Sequence, residues 1–220
     1  MKKNLGMFFG LSRCGAGAIL LGLCAFTPVS RAAVIVNNTG NPSTTLSGAT
    51  VAQVFTMSGT SGNLSSLALT LDINSAGTAA VDLFNVDGGG APTTLAAVLG
   101  SVTTTSAGNP VTVAVNLTSN PLFTAGGSYA IALAYPAIPS ASLSWDYTTT
   151  AGSGGTGSLG GLYYSFNSGS TWTAYGGGAL QMNLQTTPVP EVPMTGVVMG
   201  FGALAIALGR KLRLAVSNIA

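Results

Sequence analysis

The sequence contains no histidine, and between Arg31 and Arg210 it contains no lysine or arginine. Its two cysteines, Cys14 and Cys24, both lie near the start. Each absence removes a class of chemistry from the middle of the chain. Without histidine or cysteine there is no Ser-His-Asp or Cys-His nucleophile and no imidazole- or thiolate-bound zinc; without lysine there is no Schiff base. Without cations the segment cannot neutralise a phosphate backbone, which excludes nucleic acid as a partner. Without cysteine it must hold together by packing alone. Acids are scarce too: only Asp72, Asp82, Asp87 and Asp146 precede Glu191, and charged residues make up 5% of the chain where about 25% is usual.

Glycine, by contrast, is abundant at 31 residues, and the apolar residues come in short alternating runs. Leu67, Leu69, Leu71 and Ile73 alternate with Ala68, Thr70, Asp72 and Asn74; Val111, Val113, Val115 and Leu117 alternate with Thr112, Ala114 and Asn116. The pattern recurs over 129–135, 143–147 and 180–184. A period of two with polar partners means strands buried on one face. Less regular candidates run over 34–37, 51–57, 80–86, 95–102 and 162–166. Turn signals separate them at Asp87-Gly88, Gly108-Asn109-Pro110, Asn120-Pro121 and Gly126-Gly127. The expected fold is all-β, an antiparallel two-sheet sandwich of jelly-roll-like winding over residues 33–185. The low-complexity run 151–158 reads as a long mobile loop within it.

All seven basic residues fall at the two ends. Residues 1–32 have a cationic start, an apolar run over 16–26 and a Pro28 break before small residues, the pattern of a secretory signal cleaved after Ala32. A lipoprotein reading centred on Cys24 fails on bulky Leu23. At the other end, residues 186–193 form a proline-rich tether, 194–209 a single transmembrane helix and 210–220 a basic cytoplasmic tail. The uncharged stretch from Val192 to Gly209 numbers 18 residues, the short end of what crosses a hydrocarbon core of about 30 Å. Arg210, Lys211 and Arg213 follow at once and should stay inside. The domain between is then expected outside the inner membrane, which holds the precursor before processing.

Val189-Pro190-Glu191, Pro193, a glycine- and alanine-rich membrane segment and the Arg210-Lys211-Leu212-Arg213 cluster together resemble the PEP-CTERM sorting signal of Gram-negative bacteria. That family reads Val-Pro-Glu-Pro, whereas Val192 here separates Glu191 from Pro193, and residues 214–220 extend past the usual basic end. The resemblance implies an exosortase, a multipass membrane cysteine transpeptidase, as the partner that cuts the tail and passes the protein to the cell surface or its extracellular matrix. The body, through Val54-Phe55, residues 64–69, Val81-Asp82-Leu83-Phe84, Gly90-Ala91-Pro92, residues 122–131 and Trp145, resembles the choice-of-anchor R domain. This implies a β-sandwich and supplies no catalytic residues.

Three constellations remain to be weighed. Paired carboxylates of the glycosidase kind could come only from Asp72, Asp82, Asp87 and Asp146, all at outward-facing strand positions or turns. Asn85, Asp87 and nearby Asp82 are oxygen-rich enough for calcium but fail the EF-hand spacing, and Asp87-Gly88 reads as a hairpin turn with positive φ angles. Aromatics crowd the last third: Trp145, Tyr147, Tyr163, Tyr164, Phe166, Trp172 and Tyr175. Leu143, Trp145 and Tyr147 share a face and belong to the core, whereas Tyr163 and Tyr164 point to opposite faces, so one of them is exposed. Tyr163, Tyr164, Trp172 and Tyr175 are therefore candidates for stacking on the sugars of an extracellular polysaccharide. The chain is expected to be a non-enzymatic protein of structural or adhesive role, needing no cofactor, with a carbohydrate-binding module as the alternative and a carboxylate-dependent glycoside hydrolase third.

Overall fold

The computed structural model describes residues 31–39, 44–46, 50–105, 107–134, 143–149 and 154–189. These residues are all-β. The strands are β1 (Ala33–Asn37), β2 (Thr44–Leu46), β3 (Thr50–Thr56), β4 (Gly62–Ile73), β5 (Gly77–Val86), β6 (Pro92–Thr104), β7 (Gly108–Ala114) and β8 (Asn116–Leu117). They continue with β9 (Leu122–Phe123), β10 (Ser128–Ala134), β11 (Leu143–Thr148), β12 (Ser158–Ser165), β13 (Thr173–Tyr175), β14 (Ala179–Leu180) and β15 (Met182–Pro188). No helix among the described residues is long and apolar enough to cross a membrane. Most of the leader (1–30), Pro190, Glu191, Pro193, the membrane segment and the basic cluster lie outside the described residues.

Two antiparallel sheets form a β-sandwich. One runs β1-β15-β4-β11-β14, with β7 and β9 also on β4 and β2 on β11; the other runs β13-β12-β3-β10-β5-β6-β8. The predicted alternation fills the space between them. Leu67, Leu69 and Leu71 of β4, Trp145 of β11 and Met182 and Leu184 of β15 face Val51 and Phe55 of β3, Val81 and Leu83 of β5, and Ile131 and Leu133 of β10 in one buried cluster. Each such side chain contributes on the order of 1.5–3 kcal/mol by leaving water, which replaces the absent disulfide.

One polar side chain crosses this core. Gln53 of β3 is fully buried; its Nε2 donates to the carbonyls of Val54 (2.8 Å) and Gly160 (3.0 Å), and its Oε1 accepts from the Leu180 N–H at 2.8 Å. It thereby ties β3 and the bulge of β12 to β14 of the facing sheet, and all of its strong polar groups are matched, the condition on which a buried amide is tolerated.

The structure departs from the sequence pattern where strands change neighbours. The run 111–117 is not one strand: β7 pairs β4 in one sheet, Val115 N–H donates to Leu67 O at 2.9 Å, and β8 pairs β6 in the other. Gly108-Asn109-Pro110, expected as a turn, instead opens β7. Among the described residues β7 pairs only with β4, so it is an edge strand, where a proline lacking N–H is tolerated; a register shift in β4 between Leu71 and Ile73 accommodates the entry. The run 180–184 likewise splits at Gln181. β14 pairs β11 while β15 pairs β4, and the junction is bonded by Gln181 N–H to Asp146 O (2.8 Å), Thr70 N–H to Gln181 O (3.0 Å) and Trp145 Nε1 to Gln181 O (2.8 Å).

Residues 154–157 correct the mobile-loop expectation for the part of 151–158 that is described. Thr156 and Gly157 N–H groups donate to Val34 and Ile35 carbonyls at 3.1 and 2.8 Å. Gly154 adopts φ +60°, and a Cβ there would collide with the Asn37 carbonyl oxygen. The glycines permit a close approach to β1.

Candidate functional site

Strand β12 and the loop after it position the aromatic side chains. Alternation along Leu162-Tyr163-Tyr164 sends Leu162 and Tyr164 toward the main core and Tyr163 to the outer face of the seven-stranded sheet. That outer face is unexpectedly apolar. Ala52 and Val54 of β3, Phe84 of β5 and Ala130 and Ala132 of β10 are buried there, with Tyr163, Val86 and Trp172 packed on them. Trp172 lies edge-on to Phe84 at 5.2 Å and 81°, and its buried Nε1 finds no hydrogen-bond partner among the described residues. The loop holds Trp172 down over this face, which is why Tyr163, expected to alternate with Tyr164 between buried and exposed, is half-buried like its neighbour.

On the other side of β12 a second set of rings forms a row. Phe166 contacts Tyr164 at 5.3 Å and 71°, Tyr164 contacts Tyr175 at 6.5 Å and 81°, and Tyr175 contacts Tyr147 at 5.6 Å and 74°. All are edge-to-face, the arrangement that the ring quadrupole favours. The pairing of Leu162 with Tyr175 and of Tyr164 with Thr173 sets Tyr164 and Tyr175 as diagonal neighbours across β12 and β13. Tyr147 belongs to β11 of the other sheet, so the row bridges the two. The Tyr147 and Tyr175 hydroxyls are 3.4 Å apart, and that hydrogen bond, followed by Tyr147's charge and by burial, raises the pKa of Tyr175.

The four aromatic candidates are thus not one site. Tyr163 and Trp172 share the outer face; Tyr164 and Tyr175 belong to the row, which adds Tyr147 and Phe166. Sequence reasoning assigned Tyr147 to the core and left Phe166 aside. The available signal was its position one residue beyond a strand and directly before Asn167-Ser168-Gly169, where alternation ends and a loop begins.

The acidic residues do not form one cluster: Asp72 and Asp146 lie together on β4 and β11 of one sheet, while Asp82 and Asp87 belong to β5 and the hairpin after it in the other. Asp82 and Asn85 fall on opposite faces of β5; Asn85 Nδ2 donates to Thr94 Oγ1 at 3.0 Å. Asp87 Oδ1 accepts from its own loop's Gly89 and Ala91 N–H groups, each at 2.9 Å. No group of three His, Cys, Asp or Glu side chains among the described residues could hold a metal. The hairpin takes its positive φ at Gly90 (+87°) rather than at Asp87-Gly88. With Asp87 N–H on Ala91 O and Gly90 N–H on Asp87 O, it is a three-residue loop with glycine in the left-handed position.

Asp146 corrects the expectation that all four acids face outward into solvent. It has outward parity on β11, beside β2, β4 and β14, yet is fully buried. It hydrogen-bonds Asp72; burial raises the Asp72 pKa and this bond lowers it in part. Carboxyl groups in direct contact are closer than the about 5 Å that retaining glycosidases need, and a fully buried Asp146 cannot touch a sugar. A cleft of about 200 Å³ where β6 meets β7 is lined by Thr103, Thr104, Ile73, Val111 and Val113 and carries no titratable group.

Val189 is exposed just past the end of β15, its N–H on the Ser61 carbonyl at 3.1 Å, and Ala32 is exposed immediately before β1. Comparison of the chain with protein-family models and with curated proteins finds no match to either.

Proposed function

We propose that this is an exported, non-enzymatic β-sandwich of jelly-roll-like winding, displayed at the surface or in the extracellular matrix of a Gram-negative bacterium by a PEP-CTERM-like tail, with a structural or adhesive role. The body is read as a choice-of-anchor domain. The observation that carries the reading is the partition of charge: every cation lies at residues 2–31 or 210–213, with an uncharged stretch of 18 residues directly before the second group. The sandwich is compatible with it. Its first strand begins one residue after Ala32 and its last ends at Pro188, one residue before the Val189-Pro190-Glu191 motif.

An exosortase-like transpeptidase is the partner this reading requires. Replacing Pro190 and Glu191 together by alanine should retain the protein in the inner membrane, as read by fractionation of cells that carry an exosortase. Unchanged release of that variant to the surface would overturn the sorting assignment. The adhesive side of the reading is favoured by one observation, the outward-held ring of Phe166.

A further inference from the structure

Phe166 is 80% exposed, more than any other large hydrophobic side chain among the described residues. Its loop is built to keep it so. Ser165 Oγ donates to Asn167 Oδ1 (2.8 Å) and accepts from the Gly169 N–H (2.9 Å); Asn167 Oδ1 also accepts from Thr171 N–H (2.8 Å), and Asn167 Nδ2 donates to Thr171 Oγ1 (2.9 Å). Ser168 takes φ +55° without being glycine, a conformation that persists only where surrounding bonds enforce it. On one side Gly169 and Trp172 lie against Phe84; on the other the chain presents Phe166 to solvent with Tyr164 beneath it. A loop fixed in this way loses little freedom when a ligand arrives.

Resting on the adhesive reading above, we propose that the Phe166–Tyr164–Tyr175 row is a binding site for neutral polysaccharide, with Phe166 as its anchor. The ligand is neutral because residues 158–175 contain no acid or base, and Asp146, the acidic neighbour on β11, is buried on the face opposite Tyr147. It is polyhydroxylated because the ring stands among exposed Asn167, Ser168, Ser170, Thr171 and Thr173. An aromatic face takes up the C–H face of a sugar while hydroxyl and amide groups meet its rim, the mix of apolar floor and few polar groups that ligand sites use. A protein partner would call for an apolar surround at the centre of the contact, which these residues do not supply.

The test is depletion of the full-length protein, in a non-glycosidic detergent, onto insoluble cellulose, β-1,3-glucan and starch, with alginate beads as the anionic control. Retention on at least one neutral polymer is expected, with Phe166→Ala weakening it about tenfold, Phe166→Trp preserving it, and the unfolding midpoint unchanged in both. Retention unaffected by Phe166→Ala, or retention on alginate alone, overturns the site. Loss on Tyr163→Ala with Phe166→Ala silent would move the site to the outer sheet face and leave the adhesive reading standing. Absence of retention on every neutral polymer removes site and adhesion together, while display is judged separately by the processing of the tail. A change in sedimentation of Phe166→Ala without a change in retention would make the ring a self-contact and end the proposal.

Discussion

Asp82 stands on the outer face of the seven-stranded sheet between Ala132 of β10 and Val98 of β6. One of its carboxylate oxygens is buried with no hydrogen-bond partner among the described residues, and neither flanking residue is titratable. Burial alone raises its pKa, as low-dielectric surroundings disfavour the charged form. A carboxyl raised on folding favours the folded state most when it is protonated in both states, and that contribution is lost as pH rises from the ordinary carboxylate range through the raised value. Asp72 is shifted in the same direction. The protein should therefore unfold at a higher urea concentration at pH 4.5 than at pH 7.5, and Asp82→Asn should raise the midpoint at pH 7.5 while flattening its pH dependence. Equal midpoints for wild type and variant across that range would show that Asp82 is solvated after all.

At the level of elements, the docking of residues 154–157 on β1 gives the most direct handle. Gly154→Ala would have to hold φ near +60° against the Asn37 carbonyl, and a cost of about 2 kcal/mol is expected, measured as a lowered urea midpoint; an unshifted midpoint would mean the contact is dispensable. These same elements mark how far the sequence could be read. Period-two alternation in β4 and β10 was legible because the large apolar residues of each, Leu67, Leu69 and Leu71 or Ile131 and Leu133, line the core face. The breaks at Val115 and Gln181 were not: both sit inside unbroken alternation, and what changes there is the neighbouring strand, a tertiary fact with no local signal. The run 154–157 misled because glycine serves both free loops and tight approaches. The candidate site was half legible. Aromatic content marked the region, but which rings share a face depends on the β12–β13 register and on how the loop after Ser165 turns, so Tyr163 and Trp172 separated from Tyr164 and Tyr175, and Phe166 emerged only with the fold.

For the molecule as a whole, the central fact is the distribution of charge. The sandwich buries its apolar residues without disulfide or ion pair between its strands, and outside the apolar patch under Trp172 its exposed strand positions are polar mainly through Ser, Thr and Asn, as along Thr78 and Thr103, whose hydroxyls pair across strands at 3.1 Å. Such faces offer hydroxyls for glycosylation and little for ionic partners. The cations, Lys2, Lys3, Arg13 and Arg31 at one end and Arg210, Lys211 and Arg213 at the other, fall where the proposed export and stop-transfer would need them. On this account the tail is an address removed after use rather than a permanent anchor. Mass spectrometry of the C-terminus of protein isolated from its native cells tests that most directly. The account predicts a mature chain that ends near Pro190-Glu191 and lacks Arg210, Lys211 and Arg213; a C-terminal peptide that still carries Arg210-Lys211-Leu212-Arg213 would contradict it.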